Sequence, residues 1–518
     1  MKLGACVIRS TRGKGAAAVL AVLAALGGGH AQAAARAPAP ADRQALEGQL
    51  LASMQVLASD DFAGREPGTP GETKALRWLA GAWFKAGLVS GTNDPGHPWF
   101  APVTLIARAP EVSQARFARH GRALAVAGDQ VLVLTSARRS LVRAAPLYFV
   151  GHGQSVPPRA ELAGRVAVLL DSPPPAGPPP ASPRARQLDL LGGGALAVLT
   201  VLDGARGLAE VRAALSASRY VLAAQAGEGD MEAFVTPDAL RGLLAGGAAG
   251  DPLAALRAEA DRRDFQPHLL DIEASLEAAN RETSVRTHNL IGRLPGRHPA
   301  AGTVLLLAHW DHFGLCAGPE APHRICNGAI DNASGLAAIT EVARRLASQP
   351  RPERDILFLA TTAEETGLLG AEAFAENPPL PLDHIVAALN LDSLAIAPAG
   401  TPLGIVGKGM TPLDAPIKAV AAAAHMAVSD SAAPNAYLRR QDGWALMRHD
   451  VPAVMVTSAY GDIARLERYF ASDYHSPRDV VKPGLELGGM VGDVLFHVDL
   501  AQYLADPRRY GPPARLSP

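Results

Sequence analysis

Along the chain the spacing of apolar positions changes twice. From Leu46 to about Leu88 they recur at three and four, through Leu46, Leu50, Leu51, Met54 and Leu57, then Ala75, Leu76, Trp78, Leu79, Trp83 and Phe84. That spacing predicts two amphipathic helices, separated by the turn-forming stretch Ser59–Thr69. Between about 128 and 283 short apolar runs take over: Val131–Leu134, Leu147–Val150, Val166–Leu170 and Ala195–Val201. These predict strands bounded by turns, and the Pro-rich Ser172–Pro183 predicts a loop that cannot join a sheet. From Asn289 onward Val304–Ala308, Ile356–Thr361, Ile385–Leu391 and Ala453–Thr457 are continuous apolar runs. Such runs suit strands covered on both faces. Between the first two, Gly335–Ala347 places Leu336, Ile339, Val342, Ala343 and Leu346 on one helical face, with Ser334 expected as its N-cap.

The pattern predicts an α/β protein: a doubly wound, mainly parallel sheet with an inserted β-rich domain. At 518 residues the chain is long for one core. Expected segments are a signal peptide over 1–33, a linker over 34–44, a first segment of the main domain over 45–127 and the insertion over 128–283. The second segment, 284–510, carries the chemistry, and 511–518 is a tail. The leader reading rests on basic Lys2, Arg9, Arg12 and Lys14, the apolar Ala16–Leu26 and the small-x-small run Ala31–Ala33. That apolar run is shorter than the roughly 20 residues a membrane span needs, so export to the periplasm or beyond is expected, without stable membrane insertion after cleavage. Cys6 leaves with the leader. Cys316 and Cys326 remain, and an oxidising compartment permits their pairing.

With 49 Lys+Arg against 50 Asp+Glu, charge balance points to no nucleic-acid partner. The chemistry lies at strand ends, where open α/β sheets bind ligands. Val304–Ala308 runs into His309, Trp310, Asp311 and His312. Ile356–Thr361 leads to Glu364 and Glu365, and Ile385–Leu391 ends on Asp392. Asp331 lies in the first strand–helix loop, and His475 follows far downstream. Zinc takes imidazole nitrogen and carboxylate oxygen at roughly 2.0–2.2 Å, and a hydrolytic pair sits about 3.5–4 Å apart around one water. One bridging carboxylate plus a His and a carboxylate per ion suffices. His309, Asp331, Glu365, Asp392 and His475 supply that set for two Zn2+ ions. Glu364 is expected as general base, and Asp311 as the acceptor that fixes the His309 ring.

Ala308–Gly314, Asn327–Gly335, Ala363–Gly370, Asn390–Asp392 and Asp473–Pro477 together resemble the motif set of the di-zinc exopeptidases that include bacterial leucyl aminopeptidases, aminopeptidase Y and glutamate carboxypeptidase. Asp60–Thr69, Arg440–Asp442 and Val451–Ala453 are similar to stretches in secreted bacterial members. The insertion resembles a protease-associated domain through Val150–Gly153 and Leu162–Leu170. The resemblance implies that His309 and Asp392 complete one zinc, Glu365 and His475 the other, with Asp331 bridging and Glu364 as base. It implies peptide substrates and removal of N-terminal residues. Ile330 stands where an acidic residue is frequent, and Gln441–Gly443 replaces a Ser-Asp-His-like run, which touches the substrate pocket.

A carboxypeptidase or dipeptidase on the same metals would need a basic pocket, for which Arg439 and Arg440 are candidates. A glutaminyl cyclase works with one zinc, whereas both ligand sets are complete here. A pure binding protein has little use for two metals. No His-Glu-x-x-His helix, Gly-x-Ser-x-Gly elbow or glycine-rich phosphate loop occurs.

Overall fold

The computed structural model describes residues 40–174, 182–203, 207–215, 219–227, 229–245 and 250–511. The leader, part of the linker, most of the Pro-rich loop and the tail beyond 511 lie outside these residues. The first helix starts at Pro40 and runs to Leu57, so it takes in residues assigned above to the linker. Proline is favoured at the first position of a helix, where its missing N–H costs nothing.

In the second segment, four fully buried strands form the parallel core of the sheet. In spatial order they are Ala453–Thr457, Ile385–Asn390, Thr303–His309 and Asp355–Thr361. Gly404–Val406 and the end of His268–Leu294 flank them in antiparallel pairing. Alternation along Thr303–His309 sends Val304, Leu306 and Ala308 into one apolar cluster and Leu305 and Leu307 into another. Helices Gly335–Ala347, Gly488–Ala505, Pro40–Leu57 and Pro70–Ala86 contribute to the first cluster, and Leu369–Glu376 and Gly443–Met447 to the second. Both faces are covered, which is why these strands read as unbroken apolar runs.

The sheet continues into the inserted region. Phe100–Arg119 and His268–Leu294 pair antiparallel over most of their length, and the latter also pairs with Arg139–Phe149. Beyond it, Arg139–Phe149, Val166–Leu170, Ala197–Val201 and Met231–Val235 pair in parallel, closed by antiparallel Val131–Thr135. Parallel neighbours need crossovers, so this region carries helices too, among them Pro183–Gly192 and Pro237–Leu244. Its main apolar cluster, from Phe117 to Ala278, is separate from those under the four parallel strands of the second segment. Among the described residues no helix is long and apolar enough to cross a membrane.

Arg65 joins the N-terminal segment to the loops around the site. Its side chain is completely buried. Nε donates to the Trp310 carbonyl at 2.8 Å, Nη1 to those of Leu57 and Asn327 at 2.7 and 2.6 Å, and Nη2 to that of Gly328 at 3.1 Å. Gly64 must be glycine: at φ 68° a Cβ would lie 2.5 Å from the Cys326 carbonyl oxygen. Cys326 is joined to Cys316 by a disulfide. In the same loop His323 reaches Asp60 Oδ1 at 3.1 Å and the Pro477 carbonyl at 3.2 Å.

Arg65→Met removes every donor to four carbonyls. The expected loss is about 3 kcal/mol or more, read from urea unfolding followed by tryptophan fluorescence. A loss below about 1 kcal/mol would contradict the clamp.

Candidate metal centre

The six expected residues and Asp311 converge at the carboxyl ends of the parallel strands. His309 is the last residue of its strand, while Glu364, Glu365 and Asp392 follow the ends of the next two. His309 Nε2 lies 3.0 Å from Asp331 Oδ1 and 3.7 Å from Asp392 Oδ1. His475 Nε2 lies 2.9 Å from Glu365 Oε2 and 3.3 Å from Asp331 Oδ2. The two oxygens of Asp331 therefore face different histidines, as a bridging ligand requires. Ligand atoms of His309, Asp331 and Glu365 fall within 4.8 Å of one another, as do those of His309, Glu364 and Asp392. His309 Nε2 is buried without an aligned hydrogen bond although carboxylate oxygens surround it. A cation fits that arrangement of donors better than protons do.

Local backbone explains the convergence. Asp331 and Asn332 leave helical geometry just before Gly335–Ala347, and their peptide is cis. Asp479 accepts the Ile330 and Asp331 amides at 2.9 and 3.1 Å and the Tyr469 hydroxyl at 3.0 Å, fixing the bridging residue from behind. Ser334 does not cap the helix. Its hydroxyl donates to the Ile330 carbonyl at 2.6 Å and accepts from the Leu394 amide at 3.0 Å. Asn332 takes the capping role, its Oδ1 accepting from the Gly335 amide at 2.8 Å. Ala363, Ser393 and His475 all have φ between 51° and 55°. These rare left-handed positions lie at or beside residues of the cluster, and such strain concentrates at functional sites.

Asp311 divides the work expected of it. Its backbone carbonyl, not its carboxylate, lies at hydrogen-bonding distance from His309 Nδ1, 3.1 Å; the nearer carboxylate oxygen is 3.8 Å away. The carboxylate instead accepts from the amides of Glu364 and Glu365 at 3.1 and 3.4 Å, holding that loop against the site. His312 pairs with Glu365 Oε1 through Nδ1. Trp310 is buried and donates to the His288 carbonyl, whereas Phe313 lies 4.5 Å from the His475 ring. Tyr474 stacks on that ring at 3.6 Å. Asp442 is buried and accepts from the Thr361 hydroxyl.

The electrostatics follow from crowding. Burial, reinforced by Asp442, Glu365 and Asp392, holds the Glu364 carboxyl well above its ordinary range. Burial also raises Asp442 to about 7 and Asp311 to about 6. Burial pushes Asp331 the same way, but the adjacent His309 and His475 rings outweigh it and hold its pKa low. For His475 burial opposes the charge, yet Asp331 and Glu365 raise its pKa to about 9. His309 is likewise raised, against its burial, by Glu364, Asp331 and Asp392.

With its pKa at about 9, His475 holds a proton at neutral pH, and ligation demands neutral imidazole. Zinc binding at pH 7 is expected to release the His475 proton, a release that fades above about pH 9. Calorimetric titration in buffers of different ionisation enthalpy measures this. A buffer-independent enthalpy at pH 7 would contradict it.

Residues 289–491 match the family described as Peptidase family M28. A vacuolar membrane protease of Candida dubliniensis is 32% identical over 125 residues, 23% of this chain and 12% of that protein. The alkaline phosphatase isozyme conversion protein of Escherichia coli is 27% identical over 168 residues, 29% of this chain and 47% of its own length. The chain spans less than half the length of these curated relatives. The aminopeptidase from Aneurinibacillus sp. strain AM-1 superposes with a TM-score of 0.51 at 18% identity, over 89% of this chain and 93% of that one. The mixed, mostly parallel sheet shares its fold with that aminopeptidase, and the segment matching family M28 holds every expected ligand.

Proposed function

We propose that this chain is a co-catalytic di-zinc exopeptidase that removes N-terminal amino acids from peptides. The observation that carries the reading is Asp331, whose two oxygens face His309 on one side and His475 on the other. His309 and Asp392 would hold one ion, Glu365 and His475 the second. Two zinc ions held there would polarise a scissile carbonyl and acidify the attacking water. Glu364 takes that water's proton and passes it to the leaving amine. Its placement beside the ligands and its elevated proton affinity suit both transfers. Asp311 keeps the Glu364 backbone in place, and Asp479 does the same for Asp331. The surplus of carboxylates favours an ammonium group nearby, which supports selection of a free N-terminus.

A carboxypeptidase or dipeptidase is the second reading, favoured by Arg440 in the wall of the same cavity. We read the chain as exported, periplasmic or secreted, with which the disulfide agrees. Residues 128–283 are read as an inserted protease-associated-like domain bordering the peptidase.

One unblocked peptide, its N-acetylated form and its C-amidated form, incubated with zinc-loaded protein, separate the readings by mass spectrometry. Stepwise N-terminal loss that acetylation stops and amidation spares is expected. Cleavage stopped only by amidation would replace the aminopeptidase with a carboxypeptidase. Glu364→Gln is expected to lower kcat by about 10²–10⁴ with zinc content retained. Near-wild-type turnover would remove Glu364 as the base.

A further inference from the structure

Beside the carboxylates Asp331, Glu364 and Asp392 and the hydroxyl residue Ser393, the cavity wall consists of Tyr437, Tyr460, Phe470, Tyr474 and Arg440. The rings form a connected set: Tyr437 lies 5.6 Å from Tyr460 and 5.4 Å from Phe470, and Phe470 lies 4.7 Å from Tyr474. The Arg440 guanidinium is held over three of them, 5.0 Å from Phe470, 5.6 Å from Tyr474 and 5.7 Å from Tyr437. Its Nη2 donates to the Tyr474 hydroxyl at 3.2 Å. Among the described residues no carboxylate pairs with it, although acidic groups line the same cavity. Arg439, next in the chain, stacks instead on Trp444 at 5.3 Å.

This geometry has a chemical consequence. A guanidinium fixed by aromatic faces has lost much of its rotational freedom while most of its N–H donors stay available. Those donors match a carboxylate in two parallel bonds. Among the described residues no carboxylate fills that demand. Acid groups line one part of the cavity and a cation another, so a ligand with separated ammonium and carboxylate groups fits its polarity.

We propose that Arg440 is a substrate-carboxylate anchor, so that preferred substrates carry a carboxylate within about one residue of the cleaved bond. The inference rests on the exopeptidase reading above. The carboxylate has two possible sources, an acidic side chain at the first or second position or the free C-terminus of a dipeptide. The stacked Tyr474 links the anchor to the ligand His475.

The test uses the zinc-loaded full chain and three matched pairs of substrates. The pairs are amidated tripeptides with Glu or Gln first, the same with Glu or Gln second, and one dipeptide as acid or amide. At least one anionic member should exceed its neutral partner in kcat/KM by about tenfold or more, chiefly through KM. In Arg440→Met that ratio should fall to about one, and Arg440→Lys should restore part of it. The pair that responds identifies the source. Cleavage with the same three ratios in wild type and Arg440→Met overturns the anchor and leaves the exopeptidase reading standing. If no peptide is cleaved, that reading fails, and calorimetric titration with glutamate and glutamine decides the anchor. Tighter glutamate binding that Arg440→Met abolishes supports it; equal or absent binding of both overturns it.

Discussion

The structure depends on a cluster of buried like charges that only cations can stabilise. Asp311, Asp331, Asp392, Asp442 and Asp479 are all buried, and the Glu365 side chain is nearly so. Burying one unpaired carboxylate costs several kcal/mol, and neighbours of the same sign add to it. His309, His475 and the buried Arg65 offset part of this charge. The rest of the local architecture is arranged around what remains. The parallel strands end there, three left-handed backbone positions lie at or beside its residues, and the carboxylates of Asp311 and Asp479 are tied to backbone amides. Asp331 is the centre of this arrangement, since it alone faces both histidines.

Much of this was legible in the residues. Continuous apolar runs ending on His309, Glu364–Glu365 and Asp392 reflect strands covered on both faces and open at one end, and both facts leave a sequence trace. The helix Gly335–Ala347 and the strands Val166–Leu170 and Ala453–Thr457 appear with the bounds their patterns predict. What stayed hidden depends on contacts between distant parts of the chain. Arg65 looks like one more polar residue in a turn-rich stretch, yet three of its four carbonyl partners lie 245 to 263 positions away. Asp479 is one of several polar residues after His475, and nothing in its spacing separates it from Asp473. The capping switch from Ser334 to Asn332 arises because Asp331 must leave helical geometry. Ser334 is then already inside the first turn.

The inserted region shows the same limit from another side. Its short apolar runs predicted strands, and strands form, but their parallel pairing and short crossover helices depend on order in space. The strand His268–Leu294 passes through residue 283 and pairs with both parts of the sheet. The inserted region is therefore continuous in hydrogen bonding with the sheet that carries the site, while its main apolar core is its own and only a small cluster around Leu222 reaches Ala363 and Leu369.

Zinc content after exhaustive dialysis, measured by elemental analysis for wild type, Asp331→Ala and His475→Ala, tests the bridging role of Asp331 most directly. The account predicts about two ions per chain in wild type, one in His475→Ala and none in Asp331→Ala. Two ions retained without Asp331, or a wild type that holds only one, would contradict it.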